Sequence, residues 1–259
     1  MMPRDSFEGL ARYYDAIMSH VNYDRWFVAT TELGTLLPPN PRHLDAACGT
    51  ALLLHRLRRI GWDSHGIDLS FAMLRAGSRR TDRLPLANAD LRALPFNGCF
   101  DYVTCLFDSI NFLLDIGDVR RAFREIAGAL RDGGLFYFDI VTERMVTLHF
   151  AGQRWIEDNG KFSTSWESEY VRKNRLTTTH ICVQNGPVCS IAERIYPPDE
   201  VRAALEAAGF TLLAMLDAET WGDVRRKSVR IDFVAIKGDA APYRKDYLNV
   251  RESVRALMG

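Results

Sequence analysis

Three aspartates stand at the ends of three consecutive stretches that have the composition of buried strands. Asp45 lies in the segment HLDAACGTA, Asp68 in HGIDLS and Asp90 in NADLRALPF. The carboxyl ends of parallel strands meet along one edge of an open α/β sheet, and ligands bind at that edge. Carboxylates placed there can accept hydrogen bonds from a ligand. The spacing therefore predicts a ligand site built on three carboxylates in sequence order.

The first of these segments has small side chains where a turn joins its strand to the following helix. Ala46, Ala47, Gly49 and Ala51 let a ligand approach the backbone closely. A dinucleotide fingerprint needs G-x-G-x-x-G, but Gly49 has no partner glycine before Gly61. The acid that precedes the turn would also repel a pyrophosphate. The turn indicates a ligand without a diphosphate, and a nicotinamide-dependent oxidoreductase is a poor alternative.

The elements around the turn alternate between short apolar runs and amphipathic helical stretches, which predicts βαβ units and a parallel sheet. The run FDYVTCLF at 100–107 is nearly continuously apolar, as a strand covered on both faces should be. A helical period follows from Val119 to Leu130, and we expect Asp118 to cap its start and Gly133-Gly134 to end it. LFYFDIV is then predicted to be the fifth strand.

A different pattern begins after the fifth strand. Between residues 154 and 196 three runs alternate with period two, and they read FSTSWESEY, RLTTTHICVQ and VCSIAERIY. Such runs predict antiparallel strands that are inserted into the α/β frame. A helical pattern returns after Pro197, and two further strand-like runs follow it.

Taken together, these motifs resemble the class I S-adenosylmethionine-dependent methyltransferases. In that family an acid precedes small residues, Cys-Gly-Thr and usually Gly; LDAACGTA fits this pattern and departs from it at Ala51. FDYVTCLFDSINFLL resembles the fourth-strand motif, and ALRDGGLFYFD resembles the helix-Gly-Gly-strand motif that follows it. The Tyr-Tyr-Asp at 13–15, the Asp-Ser-Ile-Asn at 108–111 and WESEY at 166–170 resemble a bacterial branch acting on small molecules.

The resemblance implies a Rossmann-like α/β fold, with a seven-stranded, mostly parallel sheet and an antiparallel β insertion after the fifth strand. The chain would then have five parts. These are a helical amino-terminal lid (1–40), a cofactor-binding α/β core (41–150), an antiparallel insertion that covers the substrate (151–196), completion of the core (197–238), and a tail with a short helix (239–259).

The resemblance also implies a cofactor, S-adenosyl-L-methionine, with S-adenosyl-L-homocysteine as its product. Asp68 would accept hydrogen bonds from both ribose hydroxyls, and Asp90 would accept one from the adenine amino group beside Leu91. The expected cofactor-binding residues are Tyr14, Asp45, Ala47, Gly49, Asp68, Leu69, Met73, Asp90, Leu91 and Leu106.

Methyl transfer from a sulfonium requires no universal catalytic residue, because the methyl group is already activated for in-line displacement. The protein has to hold the acceptor near the methyl group and exclude water. We expect transfer to oxygen or nitrogen of a small molecule. The candidate catalytic residues are Asp108 and His180, with Glu167 as a further candidate base. The expected substrate pocket consists of Tyr13, Phe107, Asn111, Trp166, Glu167 and Tyr170.

Several of these residues also have an ordinary structural interpretation. Asp108 could cap a short helix, and a lone strand histidine such as His180 is usually structural. Trp166 and Tyr170 share a strand face with Phe162, which is the pattern of a hydrophobic face over a sheet. An alternative of a different class is a scaffold or regulatory subunit that binds the cofactor without turning it over.

Composition limits the class of protein further. The 259 residues carry 33 basic and 33 acidic side chains, so they lack the basic surplus of a nucleic-acid or membrane binder. Five cysteines without a C-x-x-C pair predict neither a metal site nor a disulfide framework. The amino terminus lacks a signal-peptide pattern, and no apolar stretch is long enough to cross a bilayer. We expect a cytoplasmic monomer or homodimer.

Overall fold

The computed structural model describes residues 5–79 and 83–258. Its eleven strands within these ranges are β1 (His43–Ala46), β2 (Ser64–Asp68), β3 (Leu86–Asn88), β4 (Phe100–Cys105), β5 (Leu130–Val141), β6 (Arg154–Asp158), β7 (Ser163–Val171), β8 (Leu176–Val183), β9 (Val188–Arg194), β10 (Phe210–Asp217) and β11 (Arg230–Lys237). Its α-helices are α1 (Tyr14–Ile17), α2 (Asp24–Gly34), α3 (Leu52–Arg59), α4 (Phe71–Gly77), α5 (Ile116–Ala129), α6 (Glu143–His149), α7 (Pro198–Ala207) and α8 (Arg244–Met258).

Seven of the strands form the main sheet, in the order β10-β11-β5-β4-β1-β2-β3. Strands β1 to β5 pair in parallel, whereas β11 runs antiparallel to both β5 and β10. The predicted seven-stranded, mostly parallel sheet is therefore confirmed. Because β1 lies between β2 and β4, the segments that leave these three strands converge at one edge.

Helices cover both faces of the main sheet, as a parallel sheet requires. On one face, side chains from α5 and α7 pack on the strands; this core includes Leu44, Val103, Phe123, Ile126, Phe136, Val201 and Leu205. On the other face, α2 and α8 cover the sheet; this core includes Trp26, Leu33, Tyr102, Tyr137, Val234, Tyr247 and Val254.

Two sequence predictions about helix ends were wrong. The start of α5 is capped by Asp115, whose Oδ1 accepts a hydrogen bond from the Gly117 N–H at 2.7 Å, whereas Asp118 lies inside the first turn. The same helix ends at Ala129, and Gly133-Gly134 belong to the following strand. Asp115 has the extended backbone of a cap residue, which composition alone does not distinguish from a position three residues later.

The carboxyl-terminal tail also differs from the sequence prediction. Its helix α8 has 15 residues and is not short. Its apolar side chains Tyr247, Val250 and Val254 are buried in the core that α2 shares with the sheet. The tail is therefore a packed element of the α/β core as far as Met258, and Gly259 lies outside the described residues.

The antiparallel insertion forms a second sheet, with strand order β6-β7-β8-β9. Strand β6 and the preceding helix α6 were not predicted. The side chains of the sheet alternate between a buried inner face and an outward face, so that Thr164, Trp166 and Ser168 of β7 are buried and Ser165, Glu167 and Glu169 are exposed. The Asn111 amide joins this sheet to the core: it donates to the Arg194 carbonyl at 2.8 Å and accepts from the Val141 N–H at 3.1 Å.

Residues 5–20, here called the lid segment, lie between the inner face of the insertion and α4. Leu10 and Ile17 pack with Trp166 of the insertion, whereas Ala11 packs with Met73 of α4. The Ser70 hydroxyl donates to Asp5 Oδ2 at 2.7 Å and fixes the start of the segment. The remainder of the predicted 1–40 lid behaves differently, because α2 packs on the main sheet; residues 1–4 lie outside the described residues.

Replacing Gly77 with alanine is expected to destabilise the fold by about 1–3 kcal/mol through overpacking. A Cβ at this position would lie 2.6 Å from the Thr50 carbonyl oxygen and 2.8 Å from its carbon, so α4 would have to move away from the turn after β1. Urea unfolding measures the effect. Gly128→Ala is the matched control: no atom lies within 4 Å of its new Cβ, and the helix gains up to about 1 kcal/mol. Equal stability of both variants would contradict this packing.

Candidate functional site

The floor of the site is the turn after β1. Ala47, Gly49 and Ala51 have left-handed φ angles of 61°, 56° and 60°, so the backbone folds tightly between strand and helix. A Cβ on Gly49 would lie 3.4 Å from the Met73 Cε atom, and Met73 is buried beneath the turn. Small side chains leave the backbone of this turn accessible to a ligand.

Asp68 at the end of β2 is bound directly to this turn. Its Oδ2 accepts a hydrogen bond from the Gly49 N–H at 2.7 Å, and its Oδ1 accepts one from the Ser70 N–H at 2.7 Å. Burial raises the pKa of Asp68 to about 6, against the lowering effect of these two hydrogen bonds. Since each carboxylate oxygen has two lone pairs, both oxygens can still accept hydrogen bonds from a ligand. Ser70 itself caps the start of α4.

Asp45 is more deeply buried than Asp68, with 4% of its surface exposed. Its Oδ1 accepts a hydrogen bond from the Thr104 hydroxyl at 2.9 Å, which in turn lies 3.0 Å from Nε2 of the buried His43. Burial raises the pKa of Asp45 to about 7, and the charge of Asp68 adds to this rise. The negative charges of Asp45 and Asp68 therefore repel each other below the turn.

An Asp45→Asn variant is expected to lose part of the pH dependence of folding. A carboxyl whose pKa is raised by folding stabilises the folded state below its unfolded pKa, and this contribution is lost as the pH rises towards about 7. Asparagine can still accept the Thr104 hydrogen bond but does not ionise. Between pH 4 and pH 7 the wild type should lose on the order of 3 kcal/mol more than the variant.

Urea unfolding across this pH range tests the expectation. Asp132→Asn is the control, because the Asp132 side chain is 97% exposed and should leave the slope unchanged. Parallel pH profiles for wild type and Asp45→Asn would contradict the proposed burial cost of the Asp45 charge.

Asp90 does not present a free carboxylate. The Arg92 guanidinium donates to its two oxygens, at 3.0 Å from Nε and 2.6 Å from NH2, and also reaches Asp118 at 2.8 Å. The Arg92 side chain and backbone N–H together hold the pKa of Asp90 below its usual range. An adenine contact by Asp90 remains a prediction, and it would have to share the carboxylate with Arg92.

Three leucines were also predicted near the cofactor. Leu69, beside Asp68, is 63% exposed and is available at the sheet edge. Leu91 is half-buried against the core on the α5 face. Leu106 is buried in the core on the α2 face, below the edge. Their contacts with a cofactor remain predictions.

Asp108 belongs to a buried charged cluster beside the turn. It follows β4 in a left-handed conformation, with a φ of 53°, directly after Phe107 with a φ of 60°. Arg230 NH2 donates to Asp108 Oδ2 at 3.2 Å, and Arg230 NH1 donates to Asp139 Oδ2. The Arg230 guanidinium lies 5.4 Å from the Phe107 ring centre and 5.5 Å from that of Trp26. Phe107 and Asp108 therefore both contact Arg230 at this end of β4, and their roles in substrate binding and catalysis stay predictions.

The lid segment brings Tyr14 to the same region. Its hydroxyl interacts with that of Tyr23, and burial together with the charges of Tyr23, Asp108 and Asp68 raises its pKa well above the ordinary value. Tyr14 thus lies near the carboxylates at the ends of both β2 and β4. Neighbouring Tyr13 points elsewhere: its ring lies 4.7 Å from that of Phe162, and its hydroxyl is 3.4 Å from Gln184 Oε1.

Other predicted substrate and catalytic residues do not join this region. Glu167 and His180 are cross-strand neighbours on the outward face of the insertion, where His180 Nδ1 lies 2.8 Å from the Ser190 hydroxyl. The alternation of side chains along a strand could have predicted that Trp166 and Glu167 do not both line the pocket, since adjacent strand residues face opposite sides of the sheet. We therefore assign no acid-base role to His180 or Glu167.

The remaining predicted pocket residues make structural contacts. Trp166 is buried, packs with the lid segment and stacks on Trp155 with ring centres 5.2 Å apart. The Tyr170 hydroxyl donates to Glu143 Oε1 at 3.1 Å. Asn111, as described above, uses both polar atoms of its amide to join the insertion to the core.

Sequence reasoning missed Arg230, Asp139, Tyr23 and Glu193. Glu193 lies in β9 and its charge interacts with those of Asp108 and Arg230. The available signal was a charged residue inside a strand with apolar neighbours, as in SVRIDFVAI around Arg230 and FYFDIV around Asp139. Charges are buried in such strands only when they are paired.

Within residues 5–79 and 83–258, no group of three or more histidine, cysteine or acidic side chains has the arrangement to hold a metal ion. Over the same part of the chain, none of the helices has the length and apolar character needed to traverse a lipid bilayer.

Comparison with known proteins gives several similar chains. Residues 44–134 match a family described as a methyltransferase domain. Demethylmenaquinone methyltransferase of Mycobacterium tuberculosis is 34% identical over 247 residues, which cover 93% of this chain and 94% of that protein. The dTDP-4-amino-2,3,4,6-tetradeoxy-D-glucose N,N-dimethyltransferase of Saccharopolyspora spinosa is 29% identical over 212 residues, or 77% of this chain and 84% of that protein. The crystal structure of an S-adenosylmethionine-dependent methyltransferase from Clostridium acetobutylicum ATCC 824 matches with a TM-score of 0.78 and 24% identity, covering 88% of this chain and 96% of its own.

Proposed function

Because the chain belongs to the class I S-adenosylmethionine-dependent methyltransferases, we propose that it transfers a methyl group to an oxygen or nitrogen atom of a small molecule. The observation that carries the proposal is the joining of Asp68 to the small-residue turn, through the Gly49 N–H at 2.7 Å. This contact places a carboxylate and an open stretch of backbone at the same strand ends, where α/β sheets bind ligands.

The residues at this edge fit S-adenosylmethionine. A Cβ on Gly49 would have the Met73 Cε atom, at 3.4 Å, as its one neighbour within 4 Å among the described residues, so the space around this turn is otherwise open. Asp68 retains acceptor capacity for ribose hydroxyls, and the exposed Leu69 offers an apolar surface next to it. When bound, the cofactor would supply an electrophilic methyl group on a positively charged sulfur. The carboxylates of Asp45, Asp68 and Asp108 favour such a charge.

The chain's own contribution is to position the acceptor and to exclude water. The lid segment covers the site from one side, with Tyr14 facing the carboxylates, and the insertion covers the lid segment in turn. Holding an acceptor in line with the methyl group can supply roughly 7–11 kcal/mol of the barrier reduction in a well-oriented case. Asp108, 16% exposed and paired with Arg230, is the carboxylate best placed to orient a polar acceptor group.

A small acceptor is supported by the cover over the site and by the relatives. The Saccharopolyspora protein is named for a dTDP-linked amino sugar and the Mycobacterium protein for demethylmenaquinone. Equal numbers of acidic and basic residues give the chain no basic surplus for a polynucleotide acceptor.

Two measurements test the proposed function. Calorimetry should detect one S-adenosylhomocysteine per chain, and incubation with methyl-tritiated S-adenosylmethionine and a deproteinised cell extract should put the label into small organic molecules. Failure to bind S-adenosylhomocysteine, or label found only in added protein, RNA or DNA, would contradict the proposal.

A further inference from the structure

Glu193 occupies an unusual position on the inner face of β9. Its Oε1 atom is shielded from solvent and has no hydrogen-bond partner among residues 5–79 and 83–258. The charged groups that act on it are Asp108 and Arg230, which stand at the ends of β4 and β11 next to the small-residue turn. Burial raises the pKa of Glu193, the charge of Asp108 raises it further, and the charge of Arg230 lowers it. This carboxyl oxygen can therefore accept a hydrogen bond from a ligand, because no described residue donates one to it.

The surrounding cluster has too few positive charges for its carboxyls. Arg230 contacts Asp108 and Asp139, and Arg25 NH2 lies 4.0 Å from Asp232 Oδ1. With the partly buried Glu193, four carboxyls therefore share the two guanidinium groups of Arg230 and Arg25 in the part of the chain that the structure describes.

A second carboxyl in this cluster also has a free oxygen. The Asp139 side chain is fully buried, and none of the residues that the structure describes forms a hydrogen bond with its Oδ1. Buried carboxylates that outnumber their cations are costly, so this cluster favours a ligand that brings a positive charge.

The charge balance distinguishes between acceptors. A hydroxyl acceptor that loses its proton would add a negative charge beside carboxyls that already outnumber their partners. An amine arrives as a cation with N–H donors, which match both the missing charge and the missing hydrogen bond. Methyl transfer leaves the positive charge on nitrogen, still facing the same carboxylates.

On the basis of the function proposed above, we propose that the acceptor is a small molecule with a basic aliphatic amine, and that Glu193 binds this amine and accepts its proton. The Glu193 carboxylate removes one proton from the bound ammonium and exposes the nitrogen lone pair. The lone pair forms the new N–C bond to the methyl carbon while the C–S bond breaks, and the bonding electrons stay on sulfur as a neutral thioether. The product is a methylated ammonium, and the proton on Glu193 passes to solvent after release.

Glu193→Gln is the variant that separates this role from a structural one. Glutamine has the shape of a protonated glutamate and cannot accept a proton, so the fold should be as stable as the wild type. Affinity for S-adenosylhomocysteine, measured by calorimetry, should change less than threefold. Glu169→Gln is the matched control, since Glu169 lies in β7 on the outward face of the same small sheet.

Activity is measured with methyl-tritiated S-adenosylmethionine and a panel of amino sugars, aminoalcohols and polyamines, each tested beside the analogue with hydroxyl in place of amine. Wild type and Glu169→Gln should methylate at least one amine and not its hydroxyl analogue. Glu193→Gln should lose at least 100-fold in kcat and the alkaline rise of its pH profile, and Glu193→Asp should recover part of both.

Some outcomes would overturn the proposal. Methylation of hydroxyl analogues in preference to amines would do so, as would a Glu193→Gln variant whose kcat is within threefold of wild type. A wild type that binds S-adenosylhomocysteine but methylates no amine in the panel would also overturn it, whereas failure to bind S-adenosylhomocysteine would instead refute the proposed function.

Discussion

Replacing Asp68 with alanine is expected to weaken S-adenosylhomocysteine binding by about 100-fold or more. In the proposed site the variant would lose charge-assisted hydrogen bonds to the ribose, each worth about 1.5–3 kcal/mol when the acceptor is ionised. It also loses the bond that joins the end of β2 to the Gly49 N–H. Isothermal titration calorimetry at pH 8, where the wild-type carboxyl is ionised, measures the change directly.

The same variant should remain folded. Because burial raises the pKa of Asp68 to about 6 in spite of two backbone hydrogen bonds, its ionised form does not stabilise the folded state at pH 8. Asp63→Ala is the control: Asp63 precedes the other end of β2, is 54% exposed and should not affect cofactor affinity. Wild-type affinity in Asp68→Ala, or an equal loss in Asp63→Ala, would remove Asp68 from the cofactor site.

Replacing Arg230 with methionine is expected to cost about 3–5 kcal/mol of unfolding free energy, because it leaves buried carboxylates without their cation. Arg230 is 8% exposed and pairs with Asp139, which is fully buried, and with Asp108. Without the guanidinium, the pKa of Asp108, which burial already raises, should rise further. Carboxyls with raised pKa values stabilise the folded state at low pH and lose that contribution as the pH rises, so the deficit should be larger at pH 8 than at pH 5.

Urea unfolding at these two pH values gives the comparison. Arg131→Met is the matched control, since Arg131 forms a 2.6 Å pair with Asp101 but is 49% exposed, and an exposed pair contributes about 1 kcal/mol or less. A deficit for Arg230→Met as small as that of the control, or one that does not depend on pH, would show that the buried cluster is not held by Arg230.

Much of the fold was predictable because it rests on local patterns. The position of Asp45 and Asp68 near the carboxyl ends of their strands, the apolar strand that begins at Phe100 and the period-two insertion all follow from hydrophobic periodicity and turn residues. The cap of α4 is equally local, with the Ser70 hydroxyl accepting the Met73 N–H at 3.1 Å. These features depend on neighbours within a few residues along the chain.

The features that were not predictable depend on distant parts of the chain. Arg230 and Asp108 meet across 122 residues, and Asn111 reaches Arg194 across 83 residues. Asp90 is occupied by Arg92, only two residues away, but this contact requires a side-chain direction that spacing does not give. The alternation along β7 places Trp166 and Glu167 on opposite faces of the sheet. It does not say which of the two faces contacts the lid segment, and that choice depends on the packing of Trp166 with Leu10 and Ile17.

A crystal structure of the protein with S-adenosylhomocysteine is the most direct test of where the cofactor binds. We expect both ribose hydroxyls within 3.2 Å of the Asp68 carboxylate, and the sulfur over the turn that contains Gly49, facing Asp108 and Glu193. A nucleoside bound elsewhere, with the Asp68 carboxylate contacting only the Gly49 and Ser70 N–H groups, would contradict this site.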